Sequence, residues 1–274
     1  MSKTAIIAGQ GALPDLLVKS LTASGSVPVL AEMEGFPADL PGMAPIRFRI
    51  ERLAVFLDHL ADLGVTRVIF GGAVRRPRLD PELIDAKTAT LVPRLLGAMQ
   101  KGDDAALREV IAIFEDWDFE VAGVQDIAPD LVPEAGYLTG APSDADIEDT
   151  AHAARIVEGL GALDLGQGAV VAQGLCLAVE TLPGTDAMLG FVAEYAGPLR
   201  PDPKGAKGVF YKAPKPGQDR RMDLPALGPE TVHAAARAGL AGIAWEAGGV
   251  LVLDRAAMVA AADEAGIFLW ARAP

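Results

Sequence analysis

Over the first 125 residues, short β-rich runs alternate with stretches in which apolar residues recur at helical spacing. The runs are Thr4–Ala8, Val27–Ala31, Ile46–Phe48, Arg67–Phe70 and Phe119–Val124. Between them, Leu13, Leu16, Leu17 and Leu21 share one helix face, and Pro14 suits a first turn. Leu53, Phe56, Leu57, Leu60 and Leu63 repeat the pattern until Gly64 stops it. Leu91, Leu95, Leu96 and Met99 predict another helix, and Leu107, Val110, Ile111 and Phe114 one more. Parallel strands need a crossover to return to the same edge, and helices supply it. The alternation therefore predicts an α/β fold with a parallel sheet covered by helices.

The rhythm breaks at residues 126–149, where Pro129, Pro133, Gly136, Gly140 and Pro142 fall close together. That composition predicts a connection between domains. The expected organisation is an N-terminal domain over 1–128, a linker over 129–146 and a second α/β domain over 147–274. In the second, the patterns predict strands at 169–173, 176–180, 208–211, 243–246, 250–253 and 267–270, with a hairpin at Gly248-Gly249.

Composition narrows the function. The chain is 51% hydrophobic and 22% charged, as packed globular proteins are. Its 24 Lys+Arg against 37 Asp+Glu leave a charge of −13, which argues against nucleic acid as a partner. It also argues against docking on an anionic leaflet by charge alone. One cysteine, Cys176, allows no internal disulfide and suits a reducing compartment. No apolar stretch reaches the roughly 20 residues of a spanning helix. Ala5–Ala8 is shorter than the roughly 7-residue core of a secretory signal. A cytoplasmic protein is expected.

Six segments carry candidate chemistry. AIIAGQGALP places Gly9, Gln10 and Gly11 between a strand and a helix start, where bare amides receive anions. Glu32 and Glu34 stand where a ribose hydroxyl would be met. Pro14 replaces the third small residue of a dinucleotide fingerprint, so the segment suits a nucleotide-type ligand or a plain tight turn. GGAVRRP offers the amides of Gly71 and Gly72 and the cations Arg75 and Arg76, or else a solvated loop. In GDDAALR, Asp103 suits an N-cap, and an acidic pair there can also hold Mg²⁺. VVAQGLCLAVETLPGTDAML sets Gln173 and Glu180 in apolar surroundings, where an unpartnered polar group is costly, and puts Thr185 and Asp186 at a helix start. KAPKPGQDRRMDLPALGPETV gathers Lys212, Lys215, Asp219, Arg220, Arg221 and Asp223 within twelve residues. Cations to hold phosphate oxygens, carboxylates to hold Mg²⁺ and a carboxylate to orient water are the needs of phosphoryl chemistry. The competing reading is a solvated turn with weak ion pairs. GLAGIAWEAG ends a strand at Glu246.

His59, His152 and His233 lie in separate helical patterns without metal-ligand spacing, and neither Gly-x-Ser-x-Gly nor a Walker loop occurs. Cys176, inside an apolar run, is expected to be inert core rather than a nucleophile.

In this order the six motifs resemble the UDP-2,3-diacylglucosamine pyrophosphatase family of lipid A biosynthesis, the histidine-poor, Mg²⁺-dependent type. The resemblance implies hydrolysis of the diphosphate to UMP and 2,3-diacylglucosamine 1-phosphate. It implies two α/β domains, the first Rossmann-like, joined by a linker with the lipid held between them. Matched by position, Asp223, Asp219 and Lys215 become the expected catalytic residues. Asp223, Asp186 and Glu180 become the expected ligands of Mg²⁺, for which Mn²⁺ can substitute. Gly9, Gln10, Gly11, Gly71, Gly72, Gln173, Thr185 and Lys212 become the expected substrate contacts. The partners so implied are an acylated sugar-nucleotide lipid and a peripheral contact with the inner membrane. A homodimer is the base-rate expectation. Two other readings are a nicotinamide-dependent oxidoreductase on the N-terminal sheet and a non-catalytic binder of an acylated sugar nucleotide.

Overall fold

The computed structural model describes residues 2–75 and 77–274. They form two compact units: one runs to Pro129 and also takes in Asp219–Asp223, and the other comprises Asp130–Gln218 and Leu224–Pro274.

The first unit runs β1 (Lys3–Ala8), α1 (Leu13–Ala23), β2 (Val29–Met33), β3 (Ile46–Phe48), α2 (Leu53–Asp62), β4 (Val65–Gly71), α3 (Val92–Met99), α4 (Asp103–Asp116), β5 (Glu120–Ala122) and α5 (Val124–Ile127). Its sheet has the order β3-β2-β1-β4-β5, parallel throughout. The apolar runs form strands because both faces are covered: Ala5, Ile6, Val68 and Ile69 are fully buried. The predicted helix faces pack on them through Leu17, Leu57, Leu60 and Phe114. Val27 lies outside β2 and is 84% exposed, so that strand starts two residues later than its pattern. The order reverses between β1 and β4, the switch point where open α/β sheets place ligands beyond their carboxyl ends.

The second unit runs β6 (Gly136–Thr139), α6 (Asp144–Ala162), β7 (Gly168–Ala172), β8 (Leu175–Val179), α7 (Thr185–Phe191), β9 (Val209–Lys212), β10 (Ala226–Leu227), α8 (Pro229–Arg237), β11 (Gly242–Glu246), β12 (Leu251–Val252), α9 (Arg255–Ala265) and β13 (Phe268–Arg272). Its main sheet, β6-β13-β11-β9-β7-β8, is mixed: β9, β11 and β13 are parallel, and β6, β7 and β8 pair antiparallel to their neighbours. Alternate residues face opposite layers. Ala169, Val171, Val209 and Tyr211 pack with Ala153 and Val157 of α6. Val170, Phe210, Ile243 and Trp245 pack with Leu189, Val232 and Met258 of α7, α8 and α9.

Two expectations change here. The stretch 129–146 is not a bare connector, because it contains β6 and the Ser143 cap of α6. Glycines and prolines hide that short edge strand, which pairs with β13 and sets Tyr137 5.7 Å from the Trp270 ring. The hairpin at Gly248-Gly249 does not form either. Both edges of β11 are already taken by β9 and β13, so β12 pairs instead with β10 in a separate parallel ladder.

Among the described residues no helix is long and apolar enough to cross a membrane.

Candidate functional site

At the switch point of the first unit, the two expected glycine segments form one feature. Gly9 N donates to Gly71 O at 2.7 Å, and Gln10 and Ala73 exchange N–H···O bonds of 2.9 and 2.8 Å. The approach requires glycine on both sides: a Cβ on Gly9 would lie 2.6 Å from Ala73 O, and one on Gly72, at φ +95°, 2.7 Å from Gly9 O. The amides of Gly9 and Gln10 are thereby engaged within the protein. Capacity for an anion lies with the opening turn of α1, which has no side-chain cap. Gln10, Gly11 and Gly72 are exposed there. Arg75 is exposed, and Arg76 lies outside the described residues. Glu32 is not available to a ribose, since it is buried and accepts from Arg47 Nε at 2.9 Å and Ala38 N at 3.1 Å. Glu34 pairs with Arg49 at 2.7 Å. In the GDD segment Asp104 pairs with Arg108, and the Asp103 side chain lies outside the described residues.

The charged loop is divided between the units. Asp219–Asp223 belongs to the first, although its neighbours on both sides belong to the second. Arg221 fastens it. Its Nη2 lies 2.7 Å from Asp219 Oδ2, its Nε 3.0 Å from Oδ1, and its Nη1 2.7 Å from Glu115 Oε1 on α4. Met222 packs against the core of the first unit. The hydrogen bonds from Arg221 hold the Asp219 carboxyl below the usual carboxylate range. Asp223 closes the segment with an exposed side chain.

In the second unit, the carboxyl ends of β8 and β9 bring Glu180 and Lys212 together. Lys212 Nζ donates to Glu180 Oε2 at 3.1 Å and to Thr185 Oγ1 at 2.6 Å, and that hydroxyl donates to Glu180 Oε2 at 3.1 Å. Lys212 is 5% exposed. Gly168 makes room for the group: a Cβ there would stand 2.6 Å from Glu180 Oε2. Neighbouring strand ends add Tyr211, whose hydroxyl lies by Arg272 and Glu246 and whose burial pushes its pKa up. Gly249, beyond Glu246, backs onto Pro214. The fifth and sixth motifs are therefore neighbours. An apolar cavity of about 240 Å³ lies at the start of α7, between the end of β8, Pro183 and Phe191.

Sequence profiles of the two LpxI domains match the chain, the LpxI N-terminal domain over residues 3–131 and the LpxI C-terminal domain over 134–270. The UDP-2,3-diacylglucosamine pyrophosphatase LpxI of Caulobacter vibrioides is 40% identical over 271 residues, covering 98% of this chain and 97% of that protein. The chain belongs to the LpxI family.

Several expected site residues of this LpxI-family chain have structural partners. Gln173 and Gly174 sit at φ 55° and 75°, as a two-residue hairpin turn requires. Asp149 accepts from both of their amides, at 2.8 and 2.7 Å. The Gln173 side chain clasps the loop after residue 200, donating to Asp202 O and Ala206 O and accepting from Asp202 N. Lys215 pairs with Asp164. Cys176 is exposed on edge strand β8 rather than in the core, and desolvation of its thiol keeps its pKa raised. Sequence reading missed Glu115, Asp149 and Asp164. Each acts across a long sequence separation, and no local spacing announces such a partner.

Among the described residues, no three His, Cys, Asp or Glu side chains are grouped to hold an ion. Glu180 faces an ammonium and a hydroxyl, and Asp186 is exposed in the first turn of α7. Mg²⁺ carried by a diphosphate has a smaller requirement, namely one or two carboxylates with phosphate oxygens and water completing the shell. The exposed carboxylate of Asp223 suits that chemistry.

Proposed function

We propose that this chain is a UDP-2,3-diacylglucosamine pyrophosphatase, an enzyme of lipid A biosynthesis. The observation that carries the reading is the match to an LpxI of that activity along almost the whole of both chains. Water adds across the diphosphate. One P–O bond forms, the bridging P–O bond breaks, and the products are UMP and 2,3-diacylglucosamine 1-phosphate.

Asp223 is the catalytic carboxylate in this reading. It orients or deprotonates the attacking water, and its carboxylate would be a protein ligand for Mg²⁺ or Mn²⁺. The cation, when bound, offsets diphosphate charge and polarises the phosphoryl group. Lys215 adds positive charge on the loop. In the second unit the Lys212–Glu180–Thr185 cluster is assigned to a phosphate or sugar group, and in the first the switch-point turn at Gly9, Gln10 and Gly11 is assigned to a nucleotide. Asp219, held ionised by Arg221, is a weak base and is assigned to holding the loop. The sequestered Glu32 weighs against the nicotinamide reading. The reading places the protein in the cytoplasm with peripheral contact at the membrane, which co-sedimentation with inner-membrane vesicles tests. Light scattering tests the homodimer expectation.

Purified protein incubated with UDP-2,3-diacylglucosamine and Mg²⁺ is expected to release UMP, and EDTA to stop it. Tight binding without UMP under any metal condition would leave a carrier instead.

A further inference from the structure

The five residues Asp219–Asp223 are packed as part of the first unit while the chain on either side is packed as part of the second. Such an excursion needs an anchor, and Arg221 supplies one. Arg221 uses Nε, Nη1 and Nη2, binding both oxygens of Asp219 and reaching Glu115 on α4. Its own backbone N–H also donates to Asp219 Oδ1 at 3.0 Å. Backbone bonds from Met222 N and Asp223 N to Asp219 O, at 3.2 and 3.5 Å, close the turn. The segment is thus tied at its start by Asp219 and at its middle by Arg221 and Met222. Asp223 lies two residues beyond the guanidinium, and its own N–H closes the same turn on Asp219 O.

We propose that Arg221, gripped between Asp219 and Glu115, is the positioning residue that sets the Asp223 carboxylate for hydrolysis. This rests on the reading of Asp223 as the catalytic carboxylate. A planar guanidinium with donors on two edges spans two carboxylates at once, whereas the single ammonium of lysine does not reproduce the fork. With three of its nitrogens engaged by protein carboxylates, Arg221 acts through the loop rather than by holding substrate. Small misplacements of a reacting group cost as much as about 100-fold in rate, so a loosened tie should appear in kcat.

The test compares full-length wild type with Asp223→Ala, Arg221→Lys, Arg221→Ala and Glu115→Gln, measuring kcat and KM for UMP release together with thermal unfolding. Arg221→Lys and Arg221→Ala are expected to lose about 10-fold to 100-fold in kcat while KM stays within about twofold. Glu115→Gln, which keeps an acceptor, should lose less. Added guanidinium should partly restore Arg221→Ala and leave Asp223→Ala inactive. Should Arg221→Ala fail to fold, the lysine and Glu115 variants carry the comparison. Near wild-type kcat in the Arg221 variants beside an inactive Asp223→Ala would overturn the clamp, as would a change confined to KM. An active Asp223→Ala would instead remove Asp223 from the reaction, whatever Arg221 does.

Discussion

Arg221 grips Asp219 along one edge of its guanidinium, with Nη2 2.7 Å from Oδ2 and Nε 3.0 Å from Oδ1. Those bonds stabilise the carboxylate and hold its pKa below the ordinary value. The folded pKa lies below the unfolded one, so the stabilisation is complete above the unfolded value, about 3.9. It disappears as pH falls through the folded value. Asp219→Asn should therefore be less stable than wild type near neutral pH, and the gap should close below about pH 4. Urea midpoints across that range measure it. A gap that stays constant to low pH would show that the ionised pair contributes nothing.

Lys212 and Glu180 are buried together, with side chains 6% and 13% exposed. Removing one partner strands the other charge. Lys212→Met should cost about 3–5 kcal/mol, and Lys212→Met with Glu180→Leu should recover much of it. Denaturant unfolding of the two variants gives both numbers. A single variant within about 1 kcal/mol of wild type would place the pair in the solvent-screened class.

Gln173 separates a structural from a ligand role. Its amide makes three bonds to the loop at Asp202 and Ala206. Gln173→Ala should speed tryptic cleavage after the exposed Lys204 and Lys207 while KM changes little. Unchanged cleavage with a raised KM would return the side chain to the substrate.

Much of the first unit could be read directly, because strands buried on both faces and helices with one apolar face leave local periodic marks. Leu53, Phe56, Leu57 and Leu60 all lie inward as their spacing implies. The failures share a cause. Strand β6 is four residues long and carries its glycine at the edge. The fate of the strand after Gly248-Gly249 depended on which edges β11 had left open. In the site, the loop's charge cluster and the polar residues at 180 and 185 stood out by composition. Their partners did not: Arg221 meets Glu115 across 106 positions and Lys212 meets Glu180 across 32. A side chain's availability for substrate is set by such distant partners, and spacing is silent about them.

Asp223, exposed at the end of its loop segment, bears the central claim. Turnover of UDP-2,3-diacylglucosamine by wild type and Asp223→Asn, read as UMP released under saturating Mg²⁺, tests it most directly. The account predicts a loss of at least about 100-fold in kcat, with thermal unfolding run alongside to show that the variant is folded. UMP release by Asp223→Asn at the wild-type rate would contradict it.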